Sequence, residues 1–319
     1  MKCFVTGGAG FIGSTMVDKL LENSNNQVTV FDNFCSGQEE FIKHHFTDKR
    51  FNLIKGNLLN AEIVKKSMVG HDLVFHFAAN PDIAKAMTQT DIDLKLGVDA
   101  TYNLLEAMRL SGVNKIVFSS GSGVYGNVGL IETAEDFGPL IPVSMYGACK
   151  LAAESIISAF CHMFDMKSWI FRFANVVGTR QTHGVGFDFI KKLRADKSKL
   201  FILGDGKQSK SYIHVSDVLG AIDFAINNTN STVNIFNAAT DDYISVREIA
   251  DIVVDVMGLK SVKYEYSGGD KGWKGDIPVV RFNLNKIHKL GWRAKLSSHE
   301  AIRQSITEML SLKLTKKQA

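Results

Sequence analysis

The sequence is poor in proline and cysteine, and it lacks any long apolar segment. Only four prolines and four cysteines occur in 319 residues, so no linker stands out. No run approaches the ~18 consecutive apolar residues of a membrane-spanning helix. The opening residues, MKCFVTGG, are typical of a strand and contain no separate basic and apolar signal regions. We therefore expect a soluble, cytoplasmic protein with no membrane partner.

The cysteines and the charges exclude two further classes of protein. Cys3, Cys35, Cys149 and Cys161 have no CxxC or metal-type spacing, which predicts reduced thiols and no metal site. The net charge is only +4, and the basic runs at 191–199 and at the end (LTKKQA) are typical of a solvated helix and tail. We expect no nucleic-acid partner.

Strands and helices alternate through the first half of the chain. The predicted strands are KCFVTGG, QVTVFDN, FNLIKG, DLVFHFAA, KIVFSS and SWIFRFAN, and segments such as TMVDKLLEN and TYNLLEAMR between them have helical spacing. This alternation predicts an α/β fold with a parallel sheet covered on both faces. After about residue 180 glycine-rich turns separate predicted helices near 216–227, 245–257 and 298–312.

The first strand is followed by a glycine-rich turn. VTGGAGFIG places Gly7, Gly10 and Gly13 between a strand and an amphipathic helix, where a chain turns tightly and approaches a pyrophosphate. Asp32 ends the second strand at 32 − 13 = 19 residues from Gly13, close to the spacing of an acid that binds ribose hydroxyls. An acid there repels a ribose phosphate, and no arginine follows in DNFCSG. The pattern predicts NAD as cofactor in preference to NADP.

A tyrosine and a lysine follow at helical spacing in SMYGACKLAAES. Tyr146 and Lys150 are four residues apart and therefore share one helix face. A tyrosine acts as a base near neutral pH only if its pKa falls by about 3 units, which takes about 4 kcal/mol of phenolate stabilisation. A neighbouring ammonium and a nicotinamide cation could supply this energy. In a dinucleotide-binding chain, the pair indicates a catalytic base.

These residues together resemble the extended short-chain dehydrogenases/reductases of the NAD-dependent epimerase/dehydratase family, and most closely its UDP-glucose 4-epimerase-like members. The matching motifs span nearly the whole chain: TGGAGFIG (6–13), FDN (31–33), HFAANPD (76–82), ATYNLLEA (100–107), the SS…VYG turn, P…YGACK (142–150), FRFANVVGTR (171–180), LGDGKQSKSYIHVSDV (203–218) and LGW (290–292). The resemblance implies a Rossmann-type, doubly wound NAD-binding domain at 1–178. It also implies a smaller, partly interleaved α/β lobe for the sugar nucleotide at 179–319.

The resemblance also implies roles for individual residues. It assigns the cofactor to Gly7, Gly10, Phe11, Ile12 and Gly13 at the pyrophosphate, Asp32, Asn33 and Ser36 near the ribose, Asn57 and Leu58 around adenine, Ala78 and Ala79, and Tyr146 and Lys150 at the nicotinamide ribose. Asn175 and Lys210 are the implied substrate contacts, although a lysine lacks the bidentate fork of the arginine usual at position 210. His76, Tyr212 and His214 are predicted to pack.

The catalytic hydroxyl of the family is missing from its usual place. Tyr125 and Tyr146 are 146 − 125 = 21 residues apart, and in that register the family's Ser or Thr position is Gly121. We expect Ser120 first and Ser122 second to supply the hydroxyl, since a glycine-rich turn can redirect a neighbour. Losing one placed hydroxyl costs about a hundredfold in rate. The alternative is that both serines only cap the strand end.

The same turn favours epimerisation among the reactions of the family. The 4,6-dehydratases resembling this chain place an Asp–Glu pair after the catalytic threonine, and the decarboxylases a glutamate at the second of these places, whereas this chain has Ser122 and Gly123. We expect Tyr146, as phenolate, to take the sugar 4-hydroxyl proton while the C4 hydride passes to NAD. The 4-keto sugar then rotates and is reduced on its opposite face.

Two alternatives stay open at this point. One is a nucleotide-sugar 4,6-dehydratase or 4-keto reductase, which would give a net redox change or a 4-keto product. The other is an NAD-binding sensor or scaffold with impaired catalysis, suggested by Gly121 and by Gly97, which replaces an asparagine common in the family. Helices at 98–110 and 145–164 are apolar over more than one face, so a homodimer through them is also expected.

Overall fold

The computed structural model describes residues 1–272 and 275–311, so the predicted C-terminal tail at 314–319 lies outside the described residues. The strands are β1 Lys2–Thr6, β2 Gln27–Asp32, β3 Phe51–Lys55, β4 Leu73–His76, β5 Lys115–Gly121, β6 Glu132–Thr133, β7 Lys167–Phe173, β8 Asn175–Val177, β9 Lys199–Ile202, β10 Ser209–Lys210, β11 Tyr212–His214, β12 Val233–Ala238, β13 Ile244–Ser245, β14 Lys263–Tyr266 and β15 Arg281–Phe282. The α-helices are α1 Phe11–Glu22, α2 Ala61–Met68, α3 Ala100–Ser111, α4 Met145–Met163, α5 Val185–Ala195, α6 Val215–Asn228, α7 Val246–Val256, α8 Asn285–Leu290 and α9 Ser298–Ser311.

Seven strands form the central sheet in the order β12-β7-β5-β4-β1-β2-β3. The pairs β1–β2, β1–β4, β2–β3, β4–β5 and β5–β7 are all parallel. The strand order reverses between β1 and β4, and in such sheets ligands bind at the carboxyl ends of the strands beside this point. The predicted Rossmann-type, doubly wound fold is confirmed.

The six predicted strands and the predicted helices all form. The central strands are buried along most of their length, as β-branched and aromatic runs between helical layers must be. Their side chains join those of α2, α3 and α4 in one hydrophobic core. The seventh strand, β12, was not predicted because its short run VNIFNA gives no indication of which sheet it joins.

The described residues divide into two compact units. The first comprises 1–126, 135–173 and 222–237, and the second 127–134, 174–221 and 238–319, of which 273–274 and 312–319 are not described. The chain therefore passes between the units several times. The predicted division at residue 178 stays a prediction.

The second unit is built from short strand pairs and helices. Its two-stranded sheets are β6–β15, β8–β11, β9–β14 and β10–β13. Apolar side chains of α5, α7 and α9 form its core together with those of β9 and β11. Ser245 and Glu248 form a capping box at the start of α7, which corresponds to the helix predicted near 245–257.

Membrane-spanning helices and disulfides were both unexpected from the sequence. Within 1–272 and 275–311, none of the helices is both long enough and apolar enough to cross a membrane. All four cysteines are free thiols, with Cys35 exposed and the other three buried.

Candidate active site

Between β1 and the first turn of α1, the positions of Gly7 and Gly13 have no room for a side chain. Gly7 has a positive φ of +68°, and a Cβ on it would lie 2.7 Å from the backbone nitrogen of Ala78. A Cβ on Gly13 would lie 2.1 Å from the carbonyl oxygen of Gly7. The glycines therefore permit close approach of α1 to the ends of β1 and β4.

The first turn of α1 can receive an anion. Gly10 is its N-cap and offers no side-chain cap, and no acidic residue lies in the first turn. The first helical hydrogen bond runs from the Ser14 N–H to the Gly10 carbonyl, which leaves the N–H groups of the preceding residues without helical partners. Phe11 and Ile12 form this turn and are half-buried. The dipole of the helix adds to the attraction for a diphosphate.

Asp32 is held next to this turn at the carboxyl end of β2. Its side chain is buried, and its carboxylate accepts hydrogen bonds from the Ala9 N–H at 2.9 Å and the Phe34 N–H at 2.8 Å. Gly37 packs so closely that its Cβ would be 3.0 Å from both carboxylate oxygens. The carboxylate is thus oriented by backbone donors before any ligand arrives. Its remaining lone pairs can accept from a vicinal diol.

The other predicted cofactor residues surround this edge of the sheet. Asn33 and Ser36 are exposed in the loop after β2, and Asn57 is exposed after β3. The Leu58 side chain is buried in the core. Ala78 packs against Gly7, and Ala79 follows it. Their contacts with a cofactor stay predictions.

His76 is a packed core residue, as predicted. Its ring is fully buried, and its two nitrogens lie 2.7 Å from the Thr6 hydroxyl and 3.0 Å from the Thr101 hydroxyl. Burial, followed by the charge of Lys150, lowers the pKa of His76 to about 3. The imidazole is therefore neutral at physiological pH and has hydroxyl partners on both sides.

The structure brings Tyr146 and Lys150 together on α4. Ser144 caps this helix by accepting from the Gly147 N–H at 3.1 Å. The buried Lys150 Nζ donates to the Ser119 carbonyl at 2.6 Å and lies 5.7 Å from the centroid of the Tyr146 ring. The pair therefore meets the carboxyl end of β5, at the same edge of the sheet as the glycine turn.

Burial acts on both members of this pair. It lowers the pKa of Lys150 to about 8, so most of the ammonium stays protonated at pH 7. Burial and the nearby Asp93 carboxylate raise the pKa of Tyr146 to about 12. In the free protein the phenol is thus protonated, and it needs more positive charge around it before it can act as a base.

The Asp93 carboxylate was not among the site residues predicted from the sequence. It is 2% exposed, and one oxygen accepts from the Asn80 side chain at 2.9 Å. The other oxygen, Oδ2, has no hydrogen-bond partner within the part of the chain that the structure describes. The π-helical segment Leu94–Asp99 follows it, a conformation frequent at functional sites.

Gly97, which replaces an asparagine common in the family, lies against Cys149 of α4. A Cβ on Gly97 would lie only 3.2 Å from the Cys149 Cβ. The buried thiol of Cys149 therefore packs against the π-helical segment. A side chain at Gly97 would therefore require a shift of a few tenths of an ångström between Leu94–Asp99 and Cys149.

The two candidate serines differ sharply in their partners. The Ser120 hydroxyl is buried and donates to the carboxylate of Glu154. The Ser122 hydroxyl is half-buried, begins the 3-10 turn Ser122–Tyr125, and makes no hydrogen bond to a described residue. The Ser120 hydroxyl thus already donates its proton to Glu154, so we assign the proposed catalytic hydroxyl to Ser122 instead.

Glu154 belongs to a buried ion pair under the serine turn. Its carboxylate accepts hydrogen bonds from two side-chain nitrogens of Arg172, the shorter at 2.7 Å. Both side chains are at most 4% exposed. Arg172 also donates to the Tyr125 hydroxyl at 3.1 Å. Tyr146, Lys150 and Glu154 form one row at spacing four on α4, and this row was the available signal in the sequence.

Asn175 and Lys210 belong to the second unit. Asn175 is exposed at the start of β8, and its side chain makes one long hydrogen bond of 3.4 Å to the Ser211 carbonyl. The Lys210 ammonium donates to the buried carboxylate of Asp276 at 2.8 Å. Its charge is therefore largely neutralised within the protein. Tyr212 and His214 are buried, which confirms that they pack.

The chain belongs to the NAD dependent epimerase/dehydratase family, whose model matches residues 3–239. The family description also confirms the predicted NAD cofactor. A UDP-glucose 4-epimerase of Mycolicibacterium smegmatis is 30% identical over 96% of this chain and 97% of its own length. The crystal structure of a UDP-galactose 4-epimerase is 35% identical, with a TM-score of 0.86 over 97% and 99% of the two chains. A Thermotoga maritima UDP-glucose 4-epimerase crystallised with UDP-glucose is 30% identical, with a TM-score of 0.85 over 97% and 98%.

Proposed function

We propose that this protein is an NAD-dependent nucleotide-sugar 4-epimerase of the UDP-glucose/UDP-galactose type. The observation that carries the proposal is the Tyr146–Lys150 pair, which the Ser119 carbonyl holds at the carboxyl end of the sheet. The relatives that align over nearly the whole chain include UDP-sugar 4-epimerases at 30–35% identity.

The residues at the sheet edge fit NAD. The uncapped first turn of α1 suits a diphosphate, and the glycines at 7, 10 and 13 let the backbone approach it closely. The oriented Asp32 carboxylate suits a ribose diol and disfavours a phosphate there. When bound, NAD supplies reversible two-electron oxidation at the sugar C4 by accepting a hydride and returning it.

Tyr146 serves as the base and then as the acid. As phenolate it takes the proton of the sugar 4-hydroxyl during oxidation, and it returns this proton during reduction, so no net proton or electron is consumed. A pKa of about 12 leaves only about one phenol in 100,000 ionised at pH 7 without further positive charge. Lys150 provides one such charge close to the ring.

Ser122 is proposed to bind the reacting sugar oxygen. Its hydroxyl is half-buried and has no partner among the described residues, whereas Ser120 is held by Glu154. A hydroxyl in this place can donate to the oxygen at C4 while Tyr146 moves the proton. Asn175 and Lys210 are proposed as contacts to the nucleotide sugar, with the Lys210–Asp276 pair rearranging around the diphosphate.

Epimerisation is favoured over dehydration by the residues of the serine turn, which include no acidic side chain at 122 or 123. Removal of water across C5 and C6 needs a further acid and base. One of the two positions for them holds Gly123, where a Cβ would lie 3.3 Å from the Gly147 Cα of α4. The turn thus offers no carboxylate at Gly123, and a side chain there would require its surroundings to shift by a few tenths of an ångström.

A cytoplasmic homodimer completes the proposal. Exposed apolar side chains lie on the two helices expected to form the contact: Tyr102 and Leu110 on α3, and Met145 and Met163 on α4. Burying them against a second copy would remove this apolar area from water.

Product analysis tests the proposed reaction. Purified protein is incubated with NAD and, separately, with UDP-glucose, UDP-galactose, UDP-N-acetylglucosamine and UDP-glucuronate, and Tyr146→Phe serves as the control. We expect one pair of 4-epimers to interconvert, and the conversion to disappear in Tyr146→Phe while NAD still binds. A 4-keto product would favour the dehydratase, and four unchanged sugars with bound NAD would favour the sensor.

A further inference from the structure

Two histidines and an aspartate converge outside the proposed active site. His44 and His45 close the 3-10 turn Lys43–His45, which follows β2, and Asp18 lies in the second half of α1. The Nε2 atoms of His44 and His45 lie 3.0 and 2.7 Å from the same oxygen, Asp18 Oδ1. One potential ligand atom from each of the three side chains lies within 4.8 Å of the others.

Packing holds the two rings in this arrangement. Their centroids are 4.0 Å apart, and the His45 ring also stacks on Phe51 at 5.7 Å. The His45 side chain is 15% exposed and that of His44 47%. The cluster is therefore supported by the protein on one side and reachable from solvent on the other.

The separations are close to those of ligands around a tetrahedral ion. Zinc bonds of about 2.0–2.2 Å to imidazole nitrogen and carboxylate oxygen place neighbouring ligand atoms about 3.3–3.4 Å apart. The observed distances of 2.7 and 3.0 Å are shorter by a few tenths of an ångström, which side-chain rotation can supply. Two imidazoles aimed at one carboxylate oxygen match the ligand set of zinc.

We propose that Asp18, His44 and His45 form a binding site for a divalent transition-metal ion, with Zn²⁺ the first candidate and water as the fourth ligand. Imidazole nitrogen suits Zn²⁺, Ni²⁺ and Cu²⁺, whereas Mg²⁺ and Ca²⁺ prefer all-oxygen sites. Cysteine and histidine spacing did not reveal it because the carboxylate comes from a different element, more than twenty residues away.

The position indicates a structural role for the ion. Asp18 is eight residues after Gly10, so it lies about 12 Å along α1 from the proposed diphosphate position. A bound ion would join α1 to the segment between β2 and β3, which carries Asn33 and Ser36. It would thereby stabilise the folded protein by mass action without taking part in the reaction.

Titration calorimetry tests the site. Chelator-treated full-length protein is titrated with Zn²⁺ and, separately, with Mg²⁺. We expect one Zn²⁺ per chain, no binding of Mg²⁺, and at least about tenfold weaker Zn²⁺ binding in Asp18→Asn and in His44→Ala. His299→Ala, at an exposed histidine of the second unit, and Cys35→Ser, at the exposed thiol, should bind Zn²⁺ as the parent does.

Thermal unfolding gives an independent second measurement. Zn²⁺ should raise the Tm of the parent and of His299→Ala but leave that of His44→Ala unchanged. Circular dichroism of the metal-free variants verifies that each is folded, and His44→Gln replaces His44→Ala if it is not. Unchanged Zn²⁺ affinity in folded Asp18→Asn and His44 variants, absence of binding by the parent, or loss of binding in Cys35→Ser would overturn the proposal.

Discussion

Two glycine-containing turns at the same edge of the central sheet differ in the space that they leave for a side chain. After β1, a Cβ on Gly13 would lie 2.1 Å from the Gly7 carbonyl oxygen. At the end of β5, a Cβ on Gly121 would lie 3.9 Å from the Phe173 carbonyl oxygen, the nearest atom among the described residues other than its chain neighbours, and its φ of −162° is ordinary extended backbone. Packing therefore requires glycine at position 13 and does not require it at position 121. Packing thus does not explain why this chain has glycine at position 121, where the resemblance implies a hydroxyl.

The two serines next to Gly121 also differ from each other, in whether the hydroxyl already has a hydrogen-bond partner in the protein. Ser120 hydrogen-bonds Glu154 inside a buried ion pair, and Ser122 is half-buried without a described partner. A buried group with a charged partner contributes to stability, whereas a group without one is available to a ligand. Substitutions at the two positions should therefore separate stability from catalysis.

The largest effect is expected from Gly13→Ala. The added Cβ must displace backbone, not a mobile side chain, because it meets the Gly7 carbonyl. We expect the free energy of unfolding to fall by at least about 3 kcal/mol and NAD binding to be lost. Urea unfolding and calorimetric NAD titration measure the two effects. Gly121→Ala is the matched control and should change stability by less than about 1 kcal/mol. Equal losses in both variants would contradict the comparison.

The next largest effects are expected at the two serines: a loss of rate at Ser122 and a loss of stability at Ser120. We expect Ser122→Ala to lower kcat about a hundredfold, about 2.7 kcal/mol of transition-state stabilisation, with an unchanged Tm. Ser120→Ala should cost about 1–3 kcal/mol of folding stability, because Glu154 loses a buried donor. Steady-state kinetics and thermal unfolding of both variants measure this. A hundredfold rate loss in a fully folded Ser120→Ala protein would return the catalytic role to Ser120.

The open space at Gly121 allows a gain of function to be tested. Gly121→Ser restores a hydroxyl where the family has one, and the extended backbone and the 3.9 Å clearance accept it. In the Ser122→Ala background, we expect Gly121→Ser to recover about tenfold or more of the lost rate. Gly121→Ala in the same background adds the Cβ without the hydroxyl. Equal rates in the two double variants would show that a hydroxyl at position 121 does not reach the substrate.

The parts of the site that were predictable from the sequence are local. Gly7, Gly13 and Asp32 lie within one strand–helix–strand unit, and Tyr146 and Lys150 lie one helical turn apart. The partner of Ser120 depends on α4 packing over β5, 34 residues away, and the sequence does not state such a contact. The Lys210–Asp276 pair is 66 residues apart and was hidden for the same reason. Residue type and spacing predict a motif, but only the packing shows which of its groups are already occupied.

The smallest expected effect concerns Asp93, a charged group beside the proposed catalytic pair that the sequence did not reveal. Its negative charge raises the pKa of both Tyr146 and Lys150. The proposed mechanism needs the phenolate, so activity should rise with pH through the Tyr146 pKa, and removing the Asp93 charge should move this limb to lower pH. Because the Lys150 pKa moves in the same direction, we expect the whole kcat/KM profile of Asp93→Asn to shift down by on the order of half a pH unit, about 0.7 kcal/mol. Asp99→Asn, on the neighbouring helical segment, is the control and should leave the Tyr146 limb in place. An unchanged profile in a folded Asp93→Asn protein would mean that solvent or cofactor charge outweighs this carboxylate at the phenol.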